Sequence, residues 1–305
     1  MLATLTDEPF SREGWLFEPK LDGERCLVFR NETKLELYSR NQKLLNTKYP
    51  ELVEAFRKKK CPPFIIDGEI VTFEGAITSF SKLQQRMQIQ HPSPELRKRV
   101  PVWFYAFDLL YFDTCDLRQV ALRHRKQLLK KALAFEEPVR YLDHIETEGE
   151  TTYRDACNQH WEGIIAKNGD SVYETARSRQ WLKFKCVAEQ EFVIGGYTDP
   201  QGQRIGFGAL LVGYYERGKL KYAGKVGTGY ENHMLQSLGK QLTSIQAASN
   251  PFETDALPRG GIHWVKPKLV AQIGFTEWTK DGKLRHPRFL GLRDDKEPQE
   301  VTREK

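Results

Sequence analysis

Three segments of the chain place their charged residues with a period of two. In Trp15-Leu-Phe-Glu-Pro-Lys-Leu-Asp22, Phe64-Ile-Ile-Asp-Gly-Glu-Ile-Val71 and Trp181-Leu-Lys-Phe-Lys185, charged side chains recur at every second position between apolar ones. Successive side chains of a strand point to opposite faces, so this pattern asks for extended chain with one face packed and the other carrying charge. Between such segments, residues 50–60, 81–90 and 122–133 space their apolar side chains as helices do, with Pro or Gly nearby to end them. The expected class is α+β with a large antiparallel component.

After Cys186 the pattern shifts. Residues 191–229 read as consecutive short strands broken by turn signals at Asp199-Pro200, Gly202 and Glu216-Arg217-Gly218. A helix is expected over residues 231–247, then two strand-like runs at 263–268 and 270–279. Five short strands with one helix suit an all-β OB-fold. The boundary falls near Ala188, giving domains 1–187 and 188–305, and 305 residues are enough for two.

Hydrophobic residues make up 39% of the chain and charged ones 29%, so it can bury a core. No apolar run approaches the ~20 residues of a membrane span, and Met1 leads into no signal-type segment, so a cytoplasmic protein is expected. The five cysteines, Cys26, Cys61, Cys115, Cys157 and Cys186, are odd in number and form no C-x-x-C. They read as reduced thiols, outside any disulfide or zinc framework. Lys plus Arg exceed Asp plus Glu by 47 to 41, a mild bias compatible with a polyanionic partner. The basic runs 57–60 and 97–99 read as solvated surface.

In the first alternating segment Glu18, Lys20 and Asp22 are expected on one strand face, and Gly23 permits a turn that returns Arg25 to the same pocket. A lone K-x-D-G-x-R match also fits a solvated edge strand. Four further stretches add weight. Asp67 and Glu69 share a face within an apolar run, where carboxylates are expensive to bury unless they bind a donor or a metal. Phe107 lies in an apolar strand, Glu162 opens Glu-Gly-Ile-Ile-Ala-Lys167, and Lys183 with Lys185 project together opposite Leu182 and Phe184.

In this order and spacing the stretches resemble the six motifs of covalent nucleotidyltransferases: ATP-dependent DNA ligases, RNA ligases and messenger-RNA capping enzymes. Motif I matches Lys20 to Arg25, motif III Asp67-Gly-Glu69, motif IIIa Phe107-Asp-Leu, motif IV Glu162-Gly-Ile and motif V Lys183-Phe-Lys185. Gly291-Leu-Arg-Asp-Asp-Lys296 looks like motif VI of the OB domain. Ser39-Arg40-Asn41, residues 80–86, 206–213 and 293–301 are similar to the ligase module of bacterial end-joining DNA ligases and its stand-alone relatives. That resemblance implies an adenylation domain followed by an OB-fold domain. The position of Lys20 leads to the expectation of a minimal two-domain enzyme without an N-terminal DNA-binding domain.

The resemblance implies a mechanism. A free lysine amine titrates near ~10.4, so Lys20 must be made nucleophilic, for which Arg25, Lys183, Lys185 and a divalent metal (Mg2+ or Mn2+) around one pocket give a reason. Lys20 takes AMP from ATP as a phosphoramidate, passes it to the 5′-phosphate of nicked duplex DNA, and the 3′-hydroxyl displaces it. Glu18 reads the adenine amino group, Phe107 stacks on the base, Glu69 holds the ribose, and Arg40 meets the ribose or 5′-phosphate. Asp22 and Glu162 bind metal, Lys183 and Lys185 the α-phosphate. Arg293 and Lys296, with Asp295, orient the pyrophosphate of ATP as the OB domain closes about a hinge near Ala188. DNA is expected to be held through phosphates without sequence reading, by a monomer, with a Ku-like end-binding protein as a possible partner. Competing expectations are an RNA ligase or GTP-using capping enzyme, and an OB-type nucleic-acid-binding protein with a degenerate site.

Overall fold

The computed structural model describes residues 1–305 except Asp7, Val187, Gln201, Gln203, residues 254–256, 259–260 and Lys305. Its contacts divide the chain into two units, Met1–Cys186 and Val187–Lys305.

The first unit runs β1 (Leu2–Leu5), β2 (Trp15–Pro19), β3 (Glu24–Arg30), β4 (Leu35–Ser39), α1 (Pro50–Arg57), β5 (Phe64–Val71) and a small hairpin, β6 (Phe73–Glu74) with β7 (Ile77–Thr78). It continues with α2 (Phe80–Met87), α3 (Pro94–Arg99), β8 (Trp103–Phe112), β9 (Cys115–Asp116), α4 (Leu122–Ala132), β10 (Val139–Tyr141), β11 (Ile145–Glu146), α5 (Gly149–Asn158), β12 (Gly163–Asn168) and β13 (Arg177–Lys185). Two sheets result, in the orders β1-β13-β12-β2-β11 and β10-β8-β5-β3-β4, the second with β9 on β8.

Alternation explains how each sheet is packed. In the first sheet Trp15, Phe17, Ile164, Ala166 and Phe184 point to one side and cluster with Ala156 of α5. In the second, Cys26, Val28, Ile66, Ile70, Phe104 and Ala106 form a core with residues of α1, α2 and α4. A third cluster, Leu16, Phe107, Leu122, Leu142 and Trp181 with Met1, joins residues of both sheets on their charged sides.

The second unit runs β14 (Glu189–Thr198), β15 (Leu210–Glu216), β16 (Lys219–Val226), α6 (Asn232–Ser244), β17 (Ile262–Gly274), a hairpin of β18 (Glu277–Trp278) and β19 (Leu284–Arg285), and β20 (Arg288–Leu292), ending in a short 3-10 turn. Its sheet follows β16-β15-β14-β17-β20. Just past β16, Thr228 bridges Arg288 of β20, and Phe289 N–H donates to Thr228 O at 2.9 Å, drawing the two edges together. Five strands closing in this way with a helix after the third make an OB-fold. Its core includes Phe192, Ile194, Leu211, Leu238, Val265 and Ile273, all fully buried.

Three expectations are corrected. The first alternating segment does not stay a strand to Asp22: β2 ends at Pro19. The runs 263–268 and 270–279 are not two strands but one, β17, of 13 residues, followed by the β18–β19 hairpin. Pro267, which has no N–H for a ladder, lies where the β14–β17 register jumps, and there Lys266 N–H turns to Ile245 O instead. The cysteines are not all thiols: Cys157 and Cys186 are disulfide-bonded, their Cα atoms 5.1 Å apart, because α5 packs beside the end of β13. Cys26, Cys61 and Cys115 are free thiols, as expected.

Candidate active site

Register places the site residues on the first sheet. β2 and β12 pair Glu18 with Ile165 and Leu16 with Lys167, while β12 and β13 pair Ile165 with Lys183, Gly163 with Lys185 and Lys167 with Trp181. Residues directly opposite in a sheet share a face, so Glu18, Lys167, Lys183, Lys185 and Trp181 all project to the side away from α5. Lys20 joins them although β2 has ended, because its N–H still donates to Gly163 O at 2.9 Å. Its Nζ forms an ion pair with Glu162 Oε1. Gly163 makes this possible. It sits at φ +149°, and a Cβ there would lie 1.9 Å from Phe184 O, so only glycine lets β12 and β13 close at the nucleophile's side.

Asp22 lies beyond the end of β2. Its N–H donates to Thr78 Oγ1 at 3.0 Å, and its Oδ2 accepts from Phe80 N–H at 3.1 Å. The carboxylate therefore sits at the start of α2, where an unsatisfied backbone donor and the helix dipole both favour it. Gly23 is needed next to it, since a Cβ there would fall 2.2 Å from Ile70 O.

The second sheet supplies the opposite wall. Arg25 is opposite Glu69 across β3 and β5. It forks onto Asp67, Nε to Oδ1 at 2.7 Å and Nη2 to Oδ2 at 2.5 Å, and Tyr173 Oη donates to Oδ2 at 2.8 Å. Burial opposes charge on Asp67, but Arg25 outweighs it and holds the carboxyl below its ordinary range. The Arg25 guanidinium lies 5.1 Å from the centre of the Phe107 ring and 5.8 Å from that of Trp181. Lys167 Nζ stands 4.2 Å and 4.1 Å from the same two rings. Phe107 is thus buried among cations and meets Trp181 edge to face at 6.1 Å. Trp181 is 2% exposed, and its Nε1–H has no hydrogen-bond partner among the described residues. A buried donor left this way is expensive, and a bound ligand with an acceptor would satisfy it.

Glu18 is deeper than its motif suggests. It is 1% exposed and lies between two lysines, with Lys126 Nζ of α4 at 2.5 Å from Oε1 and Lys167 Nζ at 2.6 Å from Oε2. Burial works against the charge, but the two ammonium groups prevail and keep the carboxyl below the usual range. Lys167 goes the other way: burial is its largest influence and lowers it to about 8. Beside them Arg125 and Asp108 form a fully buried bidentate pair, with both contacts at 2.8 Å. Motif reading matched Asp108 within Phe107-Asp-Leu without giving it a role, and missed Arg125 and Lys126 as parts of this wall. The available signal was two adjacent cations, Arg125-Lys126, at positions that helical spacing turns inward.

Arg40, in the turn after β4, and Glu69 are partly exposed. In the second unit Arg293 forks onto Asp295 at 2.8 and 2.9 Å, and Lys296 Nζ meets Glu191 Oε1 at 3.0 Å. Asp295 is 2% exposed and is held below its ordinary range by Arg293 against the effect of burial.

Comparison with known proteins decides the family. Residues 1–185 match the model of the ATP dependent DNA ligase domain, and residues 203–296 that of the ATP dependent DNA ligase C terminal region. The chain belongs to the ATP-dependent DNA ligases. Among curated relatives of this ligase, the multifunctional non-homologous end joining protein LigD of Pseudomonas aeruginosa is 34% identical over 312 residues, covering 100% of the chain and 36% of that protein. The corresponding protein of Mycobacterium tuberculosis is 35% identical over 295 residues, covering 95% and 37%. The ligase chain therefore spans little more than a third of those proteins. A solved mycobacterial DNA ligase D, complexed with ATP and MES, shares 33% identity with a TM-score of 0.67, over 99% of this chain and 98% of that one. The ligase domain of M. tuberculosis LigD gives 33% and 0.50 over the same shares. Among the described residues, no helix is long and apolar enough to cross a membrane.

Proposed function

We propose that this ligase seals 5′-phosphate/3′-hydroxyl nicks in duplex DNA through a lysyl-AMP on Lys20, in the service of break repair by end joining. The observation that carries the reading is Lys20 paired with Glu162 on the sheet face that also bears Glu18, Lys183 and Lys185.

In the first step Lys20 Nζ attacks the α-phosphorus of ATP. An N–P bond forms, the P–O bond to pyrophosphate breaks, and the amine's proton passes to solvent. Lys183 and Lys185 stabilise the charge gathering on the α-phosphate oxygens. The 5′-phosphate of the nick then displaces Lys20 to give an adenylated end, and the 3′-hydroxyl expels AMP as it joins the strands. Glu69 holds the ribose and Arg40 the ribose or the 5′-phosphate. Phe107 stacks on the adenine. Arg293 and Lys296 orient the pyrophosphate.

A divalent cation, when bound, neutralises charge on the leaving pyrophosphate. No three His, Cys, Asp or Glu side chains gather into a cage among the described residues. The carboxylate oxygens of Glu162 and Asp22 are hard donors that suit magnesium or manganese, which one or two carboxylates and the substrate's own phosphates hold. Glu162 is the side chain that would hold it, with Asp22, engaged at α2, reaching it through water. A Ku-like partner, a monomeric enzyme and a cytoplasmic setting belong to the same proposal.

The test is incubation with ATP labelled at the α-phosphate, followed by denaturing electrophoresis. The intact chain is expected to take the label, and Lys20→Ala to lose it along with ATP-driven sealing, while a nick already bearing 5′-adenylate is still sealed by the variant. Label from GTP in place of ATP, or joining of RNA nicks alone, would overturn the reading.

A further inference from the structure

We infer that Lys126 of α4, outside every recognised motif, is a positioning residue for nucleotide choice: it holds the Glu18 carboxylate where Oε1 accepts a hydrogen bond from the 6-amino group of adenine. The inference rests on the nucleotide reading above and deepens it.

Lys126 is fully buried, donates to Leu142 O at 3.0 Å, and stands 4.7 Å from the centre of the Tyr141 ring. Its ammonium is therefore fixed by β10 at the second sheet's edge and by the irregular segment that follows it. From there it meets Glu18 Oε1 at 2.5 Å, whereas Lys167 meets Oε2. Lys126 meets Oε1 as an ion pair, and Oε1, buried to below 1 Å², has no hydrogen-bond partner among the described residues. A carboxylate oxygen carries two lone pairs, and a buried one with acceptor capacity to spare favours a ligand N–H. Glu18 lies two residues from the nucleophile on the same sheet face, which is roughly 7 Å along a strand. The 6-amino group of adenine offers such a donor. The 6-oxo group of guanine is an acceptor and would meet the carboxylate with like polarity. Without Lys126 the carboxylate loses one of two opposing charges and with it a fixed orientation, and the preference for a 6-amino purine weakens.

The experiment measures rates of adduct formation on the full chain with ATP and with purine riboside triphosphate, which lacks the 6-amino group. Wild type is expected to favour ATP by at least ~10-fold in kcat/KM, the range of one hydrogen bond to a charged group. Lys126→Met is expected to lower that ratio at least about threefold through KM for ATP, with KM for the analogue little changed, and Lys126→Arg to restore most of it. A residue that only supports the fold would move both nucleotides equally. Lys126→Gln, also uncharged but still polar, serves if the methionine variant does not fold, and its ratio is expected to fall too. An unchanged ratio in the folded uncharged variant overturns the inference alone. A wild-type chain that takes no label from ATP overturns the ligase reading and the inference together.

Discussion

Asp67 has no exposure to water, yet it accepts three hydrogen bonds, two from Arg25 and one from Tyr173. Removing its charge strands a guanidinium inside the site wall. Asp67→Asn is therefore expected to cost about 2–4 kcal/mol in urea unfolding, below the ~3–5 of a fully enclosed pair because Arg25 keeps partial access to water. The same carboxylate shapes the acid response. Asp67 and Glu18 are both held below their ordinary ranges when folded. The unfolded chain, with carboxylates near ~3.9 and ~4.3, then binds more protons than the folded one as pH falls through that region. The stability these groups contribute is complete above the unfolded values and is lost as pH drops through them toward the folded ones. Unfolding free energy is expected to decline from about pH 5 downward, and less steeply in Asp67→Asn, as followed by urea titrations across pH. A variant with the wild-type slope would remove Asp67 from this account.

At the scale of elements, alternation told which strands face the site, and it did so because a two-residue period survives any tertiary context that keeps the strand. Lys183 and Lys185 opposite Leu182 and Phe184 were legible for that reason, and the register places them beside Glu18 and Gly163. Where strands end was not legible. Pro19 closes β2, and nothing local announces that Asp22 will turn to Thr78 and Phe80, 56 and 58 residues on. Lys126 was hidden likewise, since its partner Glu18 belongs to another motif and a distant segment. The bond between Cys157 and Cys186 has no sequence signal either, because α5 and β13 meet only in three dimensions. The Asp22 contact separates two roles that the motif merges. Asp22→Asn keeps an oxygen for Phe80 N–H, so its stability is expected to stay within about 1 kcal/mol of wild type, whereas Asp22→Ala loses about 1–2 kcal/mol as a helix-end acceptor is removed. A raised magnesium requirement for adduct formation in the stable Asn variant, read by metal titration, is then the signature of the water-mediated metal contact. An unchanged titration would leave Asp22 a capping residue only.

The whole chain carries two sets of cores that share no residue. Phe17, Ile66 and Phe107 belong to clusters drawn entirely from residues before Val187, and Phe192, Leu238 and Ile273 to one drawn entirely from residues after it. Each unit is of a size at which a single core suffices, so fragments 1–186 and 187–305 are expected to unfold cooperatively on their own in circular-dichroism melts. The reaction divides less evenly. Fragment 1–186 retains Lys20, Glu162, Lys183 and Lys185, whereas Arg293 and Lys296 stay with the other unit. Groups that stabilise developing charge are each worth roughly 100-fold in rate. If Arg293 and Lys296 orient the leaving pyrophosphate, the fragment should label itself from ATP at least ~100-fold more slowly than the full chain, and Arg293→Ala in the full chain should show most of that loss. Sealing of a nick that already carries adenylate has no pyrophosphate to orient, so Arg293→Ala should slow it far less. Equal loss in both reactions would assign Arg293 to holding DNA, and no loss in either would leave its fork onto Asp295 as a purely structural pair.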